Sequence, residues 1–354
     1  MRHIPVFTLL AIGALTGVAS AQTQVIGVAA PLTGPSALLG AQIRDGAEAV
    51  DLKNNYSIQI EDDACTPEGG AAAAERFVSA KVAIVTGFLC TESIEAAMPI
   101  LKEAGVAVIA TGVRTDSLTD RKGKTGWPVV RYAPRADAEL KAASSILGAL
   151  WREELFAIID DGTIYSRELS EGFRLTIEGE RLKPVFVDTF RPQLDNQIGL
   201  AGRLRRSGAT HVFAAGDRAD LAILGRDAAE IGYELTIAGG EVLRSAPDEV
   251  DLAEGTLMIG LPEWAELADP AVVDTLRAQG IEPDGYVLPA YASVEIAAQT
   301  LAISGSTGAA PLDVLSSEEF QTVLGPAGFD AKGDRTDNPY RLYRYQSGAF
   351  IEVD

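Results

Sequence analysis

Histidine and cysteine are scarce in this chain of 354 residues, with two of each. His3 stands at the extreme N-terminus, which leaves His211 as the one imidazole of the main body. There is no His-Glu-x-x-His sequence and no Cys/His cluster, which argues against a zinc site. No Gly-x-Ser-x-Gly elbow occurs, which weakens a hydrolase reading. No catalytic constellation and no cofactor site is expected. Cations are also short, 30 Lys and Arg against 50 Asp and Glu, giving a formal net charge of −20. So acidic a surface repels phosphate backbones and speaks against a nucleic-acid partner. A local pocket can still oppose that field for an anionic ligand. The plain consequence of the charge is solubility and low self-association, and a monomer is expected. Past the N-terminus, no run reaches the roughly 18 uninterrupted apolar residues a membrane helix needs.

What is present begins with the first 21 residues. Arg2 and His3 are followed by an apolar run over 4–18 and then by Ala19-Ser20-Ala21. A basic start, a short apolar stretch and an A-x-A site form the pattern of a secretory signal peptide, with Gln22 as the mature start. A buried or membrane-anchoring helix is the alternative, but the run is short and contains Pro5 and Gly13. No cysteine at the cleavage site suggests a lipid anchor. Export leaves about 333 residues, enough for two domains with their own cores. The 47% hydrophobic and 23% charged composition is that of an ordinary globular protein.

In an exported chain, the pair Cys65 and Cys90 reads as one disulfide. Closing a loop of about 25 residues would stabilise by roughly 3–4 kcal/mol in the chain-entropy model. A cysteine nucleophile would be the alternative, without a supporting histidine pattern. Lys122-Gly123-Lys124-Thr125 ends like a phosphate-binding loop, but the fingerprint needs glycine at 118, where Leu118 stands. An exposed basic loop is expected there. Asn55-Tyr56-Ser57 matches a glycosylation sequon, a short pattern that arises by chance. Asp62-Asp63 could do acid/base work or hold a cation; beside the disulfide, a structural or solvated role is expected.

Short apolar runs alternate with segments of helical period. Strands are expected at 25–30, 57–61, 82–85, 106–109, 156–159, 185–187, 211–215, 235–238 and 255–260. Helices are expected at 38–52, 71–78, 92–103, 136–150, 166–177, 197–206 and 220–231, then 270–279, 287–303 and 316–324. Segment 305–310 reads as a flexible joint, and 340–345 with 349–353 as a closing hairpin around Ser347-Gly348. Strand-helix alternation predicts parallel sheets covered on both faces, and two successive series predict two α/β lobes.

Several segments together are specific. They are Val25-Ile26-Gly27-Val28-Ala29-Ala30-Pro31-Leu32-Thr33-Gly34-Pro35, Glu61-Asp62-Asp63-Ala64-Cys65-Thr66-Pro67 and Gly87-Phe88-Leu89-Cys90-Thr91-Glu92-Ser93. Asp160-Asp161-Gly162-Thr163-Ile164-Tyr165, Gly239-Gly240-Glu241, and Gly285-Tyr286 with Tyr291-Ala292 complete the set. With these, the chain closely resembles periplasmic binding proteins of the leucine/isoleucine/valine type, which serve ABC importers. The resemblance implies a type I two-lobed fold with three crossings, closing on ligand like a clamp. It implies lobe 1 at 24–134 plus 263–337, lobe 2 at 135–262 plus 338–354, and crossings near 133–137, 261–263 and 334–339.

The resemblance also places the ligand. Thr91 matches a carboxylate-holding helix start, where a hydroxyl and free N–H groups favour an anion; a plain helix cap is the alternative. Gly112 and Arg114 fall where the family usually has small and hydroxylated residues, and a one-residue shift would substitute Thr111 or Thr115. A guanidinium in a cleft can take a carboxylate bidentately; Arg114 could also point to solvent. Tyr165 matches an aromatic wall, or a plain packing tyrosine. Glu241 matches the carboxylate that takes an amino group, and Tyr286 a side-chain pocket aromatic. Asp217 and Leu39 stand at or near positions where relatives carry aromatics. Arg114, Asp217 and Leu39 therefore put a branched aliphatic specificity in doubt. The expected ligand is a small carboxylate, an amino acid with a polar or acidic side chain, delivered to a membrane permease. The alternatives are an aromatic or aliphatic acid without an amino group, or a sensing module with the same clamp. A sensor would usually carry a second span or signalling domain, which this sequence does not show.

Overall fold

The computed structural model describes residues 23–53 and 56–353. The export segment, Asn55 of the sequon and Asp354 lie outside the described residues. The first sheet contains β1 (Gln24–Ala30), β2 (Tyr56–Asp62), β3 (Ile84–Gly87), β4 (Ala107–Ala110) and β5 (Val129–Arg131). Its spatial order is β2-β1-β3-β4-β5, and every pairing is parallel. Strands β3, β4 and β5 are buried at every position, so they read as unbroken apolar runs and not as alternating ones.

The second sheet contains β6 (Phe156–Asp160), β7 (Phe186–Thr189), β8 (His211–Ala215), β9 (Thr236–Gly239) and β10 (Leu257–Gly260). A small hairpin follows, β11 (Phe320–Thr322) with β12 (Gly325–Ala327), and then β13 (Arg341–Gln346) and β14 (Ala349–Glu352). The order is β14-β13-β10-β9-β8-β6-β7, parallel except where β13 meets β10 and β14. Leaving aside the closing hairpin, the two sheets share one topology. In each, the strand order reverses beside the first strand, and ligands of open α/β sheets bind outside the strands' carboxyl ends at such points.

Each sheet has a buried apolar cluster on either face. Ile26, Ile109 and Leu288 belong to one cluster of the first sheet, and Phe77, Phe88 and Met98 to the other. Phe213 and Ile259 flank the second sheet on one face, and Ile159 and Met258 on the other. Burying each such large side chain contributes about 1.5–3 kcal/mol. After β10 the chain returns to the first sheet: Val273, Val287, Val294 and Leu301 join the cluster of Ile26. Helix Val287–Thr307 is long and apolar enough to cross a membrane, yet most of it is buried in this core.

The helix Pro67–Ser79 shows how local sequence sets the packing. Thr66 caps it by accepting from the Gly69 N–H, and Pro67 occupies the first helical position, where a missing N–H costs nothing. A Cβ at Gly70 would lie 2.0 Å from the Ser93 carbonyl oxygen, so glycine lets this helix press against Thr91–Glu103. The Cys65–Cys90 disulfide forms as expected and ties the starts of these two helices, with Cα atoms 5.2 Å apart. Asp63 is fully buried, accepting from Ser93 Oγ and the Cys65 N–H, while Asp62 accepts from Leu32 N–H, Thr33 Oγ1 and Ala64 N–H. The pair is structural.

Three local expectations need correction. The helix expected at 316–324 is Pro311–Ser317; Phe320 is fully buried and Gln321 exposed, and that alternation makes the β11–β12 hairpin. The joint expected at 305–310 is partly helical, because Val287–Thr307 runs on until Gly308 takes a left-handed φ of 78°. The loop at 122–125 is a single helical turn, Lys122–Thr125, closed by Gly126.

Candidate functional site

A cavity of about 330 Å³ lies between loops from both sheets. From the first sheet come Thr111, Gly112 and Arg114, in the loop after β4; from the second comes Glu241, in the short turn Glu241–Arg244 after β9. Tyr132, Trp264 and Tyr286 add aromatic wall. The size suits a small ligand held by a few convergent polar groups in an apolar setting.

The backbone of the Arg114 loop is fixed from below. Arg131, at the end of β5, is fully buried and donates to the carbonyl oxygens of Arg114 (2.9 Å) and Thr115. Its guanidinium also pairs with Asp334, at 2.5 Å through Nη2 and 2.9 Å through Nε. Burial alone would raise the Asp334 carboxyl; Arg131 and Arg135 outweigh it and hold it below the usual carboxylate range. Asp334 thus ties the last crossing to the loop that presents Arg114. A neighbouring recess of about 390 Å³, lined by Asp120, Arg135, Lys332 and Asp334, is closed by these and further ion pairs. Its charges already satisfy one another.

Arg114 lines the cavity and is half-buried. Its Nη2 donates to Tyr340 Oη, and its guanidinium lies 5.7 Å from the centre of the Tyr340 ring. Burial works against its charge, but Tyr340 and Glu241 overcome that and raise its pKa. Among the described residues Arg114 makes no ion pair, whereas Arg244 pairs with Glu263 at 2.7 Å and Arg335 with Asp337 at 2.5 Å. Glu241 makes none either; its Oε2 accepts from Tyr340 Oη at 3.0 Å. A cation from one sheet and a carboxylate from the other are therefore joined only by a neutral phenol.

Glu139 supports this arrangement from behind. It is 6% exposed, accepts from the Glu241 N–H at 2.7 Å and from Tyr165 Oη at 2.7 Å, and burial raises its pKa. A Cβ at residue 240 would come within 2.3 Å of Glu139 Oε1, so Gly240 leaves room for that carboxylate. Gly112 has a similar role: a Cβ there would meet Leu89 at 2.8 Å and Tyr286 at 3.1 Å.

Of the residues singled out in the sequence, Gly112, Arg114, Glu241 and Tyr286 line one cavity. Tyr165 lines a separate recess of about 200 Å³ with Glu139 and is linked to Glu241 through Glu139; its hydroxyl is pushed to higher pKa by burial and Glu139. Thr91 and Asp217 are not among the cavity's lining residues. Thr91 is the first residue of helix Thr91–Glu103, and its cap position is Cys90, so Thr91 is not the cap itself. Asp217 is exposed at the cap position of helix Arg218–Glu230. Leu39 is 37% exposed on helix Ala37–Glu48. Sequence reasoning missed Glu139, Tyr340, Trp264 and Arg244. The available signal for Tyr340 was its place directly after the third crossing; for Glu139, an acidic residue in the first turn of a helix that carries no other carboxylate.

The family profile described as "Periplasmic binding protein" matches residues 23–349. The chain is 26% identical over 345 residues to a Leu/Ile/Val-binding protein of Rhizobium johnstonii, covering 93% of each chain. Its fold matches an ABC-transporter substrate-binding protein of Desulfitobacterium hafniense in complex with Leu (TM-score 0.66, 21% identity, 93% and 99% of the chains covered). It also matches a solute-binding protein of R. palustris in complex with 4-hydroxybenzoate (TM-score 0.64, 17% identity, 94% and 96% covered).

Proposed function

This chain belongs to the periplasmic binding protein family, and on that premise we propose that it is exported to the periplasm, binds a small carboxylate between two closing lobes and delivers it to an ABC importer. Residues 1–21 are the signal peptide in this reading. Lobe 1 is 24–134 with 263–337, and lobe 2 is 135–262 with 338–354. The protein acts as a monomer. The single observation that carries the ligand class is Arg114: a half-buried guanidinium that lines the cavity without a carboxylate partner among the described residues. A partly desolvated cation gains from an anionic partner, and a ligand carboxylate supplies one bidentately.

Glu241 extends the reading to α-amino acids. A carboxylate on the facing lobe, likewise without an ion-pair partner among the described residues, suits a desolvated ammonium. Tyr286 and Trp264 would pack on the ligand side chain, and the polar rim of Arg244 and Glu263 favours a polar or acidic one. Ligand that contacts both lobes stabilises the closed form, because only that form makes both sets of contacts. A second reading, an aromatic acid without an amino group, is favoured by the three aromatic walls Tyr132, Trp264 and Tyr286. The 4-hydroxybenzoate complex of the R. palustris protein is compatible with it.

A thermal-shift screen of refolded, ligand-stripped protein against amino acids, dicarboxylates and aromatic acids tests both. Selective binding stabilises the native state by mass action, by about 2.7 kcal/mol at a hundredfold excess of free ligand over Kd, and so raises the melting temperature. Hits among α-amino acids support the Arg114–Glu241 clamp; hits confined to acids without an amino group support the second reading. No shift with any carboxylate rejects the ligand class.

A further inference from the structure

Tyr340 is not one of the cavity's lining residues but bridges two that are, and it is anchored independently of both. It lies between the last crossing and β13, and its N–H donates to Asn338 Oδ1 at 3.1 Å. Asn338 Nδ2 in turn donates to the Ala138 carbonyl oxygen at 2.8 Å. The side chain is 4% exposed. Its hydroxyl accepts from Arg114 Nη2 and gives its one proton to Glu241 Oε2. Burial and the charge of Glu241 push its pKa upward, so the phenol stays a donor across the physiological range.

We infer that the Tyr340 hydroxyl determines specificity by standing in for a ligand ammonium at Glu241, so that the cleft accepts a carboxylate with or without an α-amino group. The inference rests on the reading that Arg114 and Glu241 face the ligand. A desolvated carboxylate needs a donor. When an amino acid binds, its ammonium serves Glu241. When the ligand has no amino group, the phenol proton remains the donor, and Glu241 is not left bare beside a second anion. Arg114 sees the same ligand carboxylate in both cases, so its interaction with Tyr340 cancels in a comparison of matched ligands.

The test uses three pairs that differ only in the α-amino group: L-glutamate and glutarate, L-phenylalanine and 3-phenylpropionate, L-leucine and 4-methylpentanoate. Calorimetric titration of the mature chain is compared with Tyr340→Phe, which keeps the ring and removes the hydroxyl. For the pair that binds, Tyr340→Phe should weaken the acid at least about tenfold more than the amino acid, since a buried charged group loses its partner only in the first case. If only acids bind, the inference is overturned, because the cleft then does not take both kinds of carboxylate. In the Glu241→Gln background, whose amide brings its own donor, the effect of Tyr340→Phe on the acid should largely vanish. Equal losses for acid and amino acid overturn the inference and leave the clamp standing. Binding of amino acids alone by the unaltered protein overturns it as well. Failure of every probe to bind removes the carboxylate clamp itself, and the inference with it.

Discussion

Arg131 is fully buried and Arg114, seventeen positions earlier, half-buried, and they meet opposite constraints. Arg131 satisfies its charge internally with Asp334; Arg114 has only a phenol and a ring face. That difference makes Arg131 structural and is the ground for proposing Arg114 as a ligand group. Glu295 shows how burial acts on a carboxyl with no cation nearby. Burial pushes its pKa up to about 7, against a single compensating hydrogen bond from the Val323 N–H. Its folded pKa is above its unfolded value, so its contribution to stability is fully present below about pH 4.5 and is lost as pH rises through about 7. Glu295→Gln should therefore raise the melting temperature at pH 8 and change it little at pH 4.5. A difference that does not vary with pH would reject this assignment. At this scale the family resemblance singled out Gly112, Arg114, Glu241 and Tyr286, and the structure places these four around one cavity. Tyr340 was not among them: it meets Arg114 across 226 positions, and its own neighbourhood reads only as an edge hairpin.

Elements are held in place by a few long-range ties. The disulfide joins the starts of Pro67–Ser79 and Thr91–Glu103, where Ala64, Cys65 and Phe88 all take positive φ angles of 47°, 53° and 60°. Non-glycine residues hold such angles only where the surroundings fix them. Replacing both Cys65 and Cys90 by Ser should lower unfolding free energy by about 3 kcal/mol in urea titrations; a change below about 1 kcal/mol would mean the glycine-mediated helix contact suffices. Asp334→Ala strands the buried Arg131 charge and should cost about 3–5 kcal/mol. It should also weaken ligand binding, since Arg131 holds the backbone of the Arg114 loop. Destabilisation without loss of affinity would separate the two roles. The sequence supported the sheet strands well, because an apolar run bounded by helical period is a strong signal. It failed at 316–324, where a short segment without clear period becomes the β11–β12 hairpin through burial of Phe320 against the core.

For the whole molecule, two sheets of one topology turn loops toward a shared cavity. The chain passes between the sheets three times, after β5, after β10 and before β13. The alternation of strands and helices was enough to foresee two lobes. Which loops converge depends on those crossings, and periodicity does not report them; the family resemblance supplied them. The central claim is that a carboxylate binds to Arg114 between the lobes. Its most direct test is calorimetric titration of the best thermal-shift ligand into ligand-free protein and into Arg114→Ala, with the melting temperature of each measured alongside. The account predicts saturable binding to the unaltered chain, at least about a hundredfold weaker binding to a variant that remains folded, in keeping with loss of a buried charged pair. Unchanged affinity in the variant would take Arg114 out of the site and contradict the account.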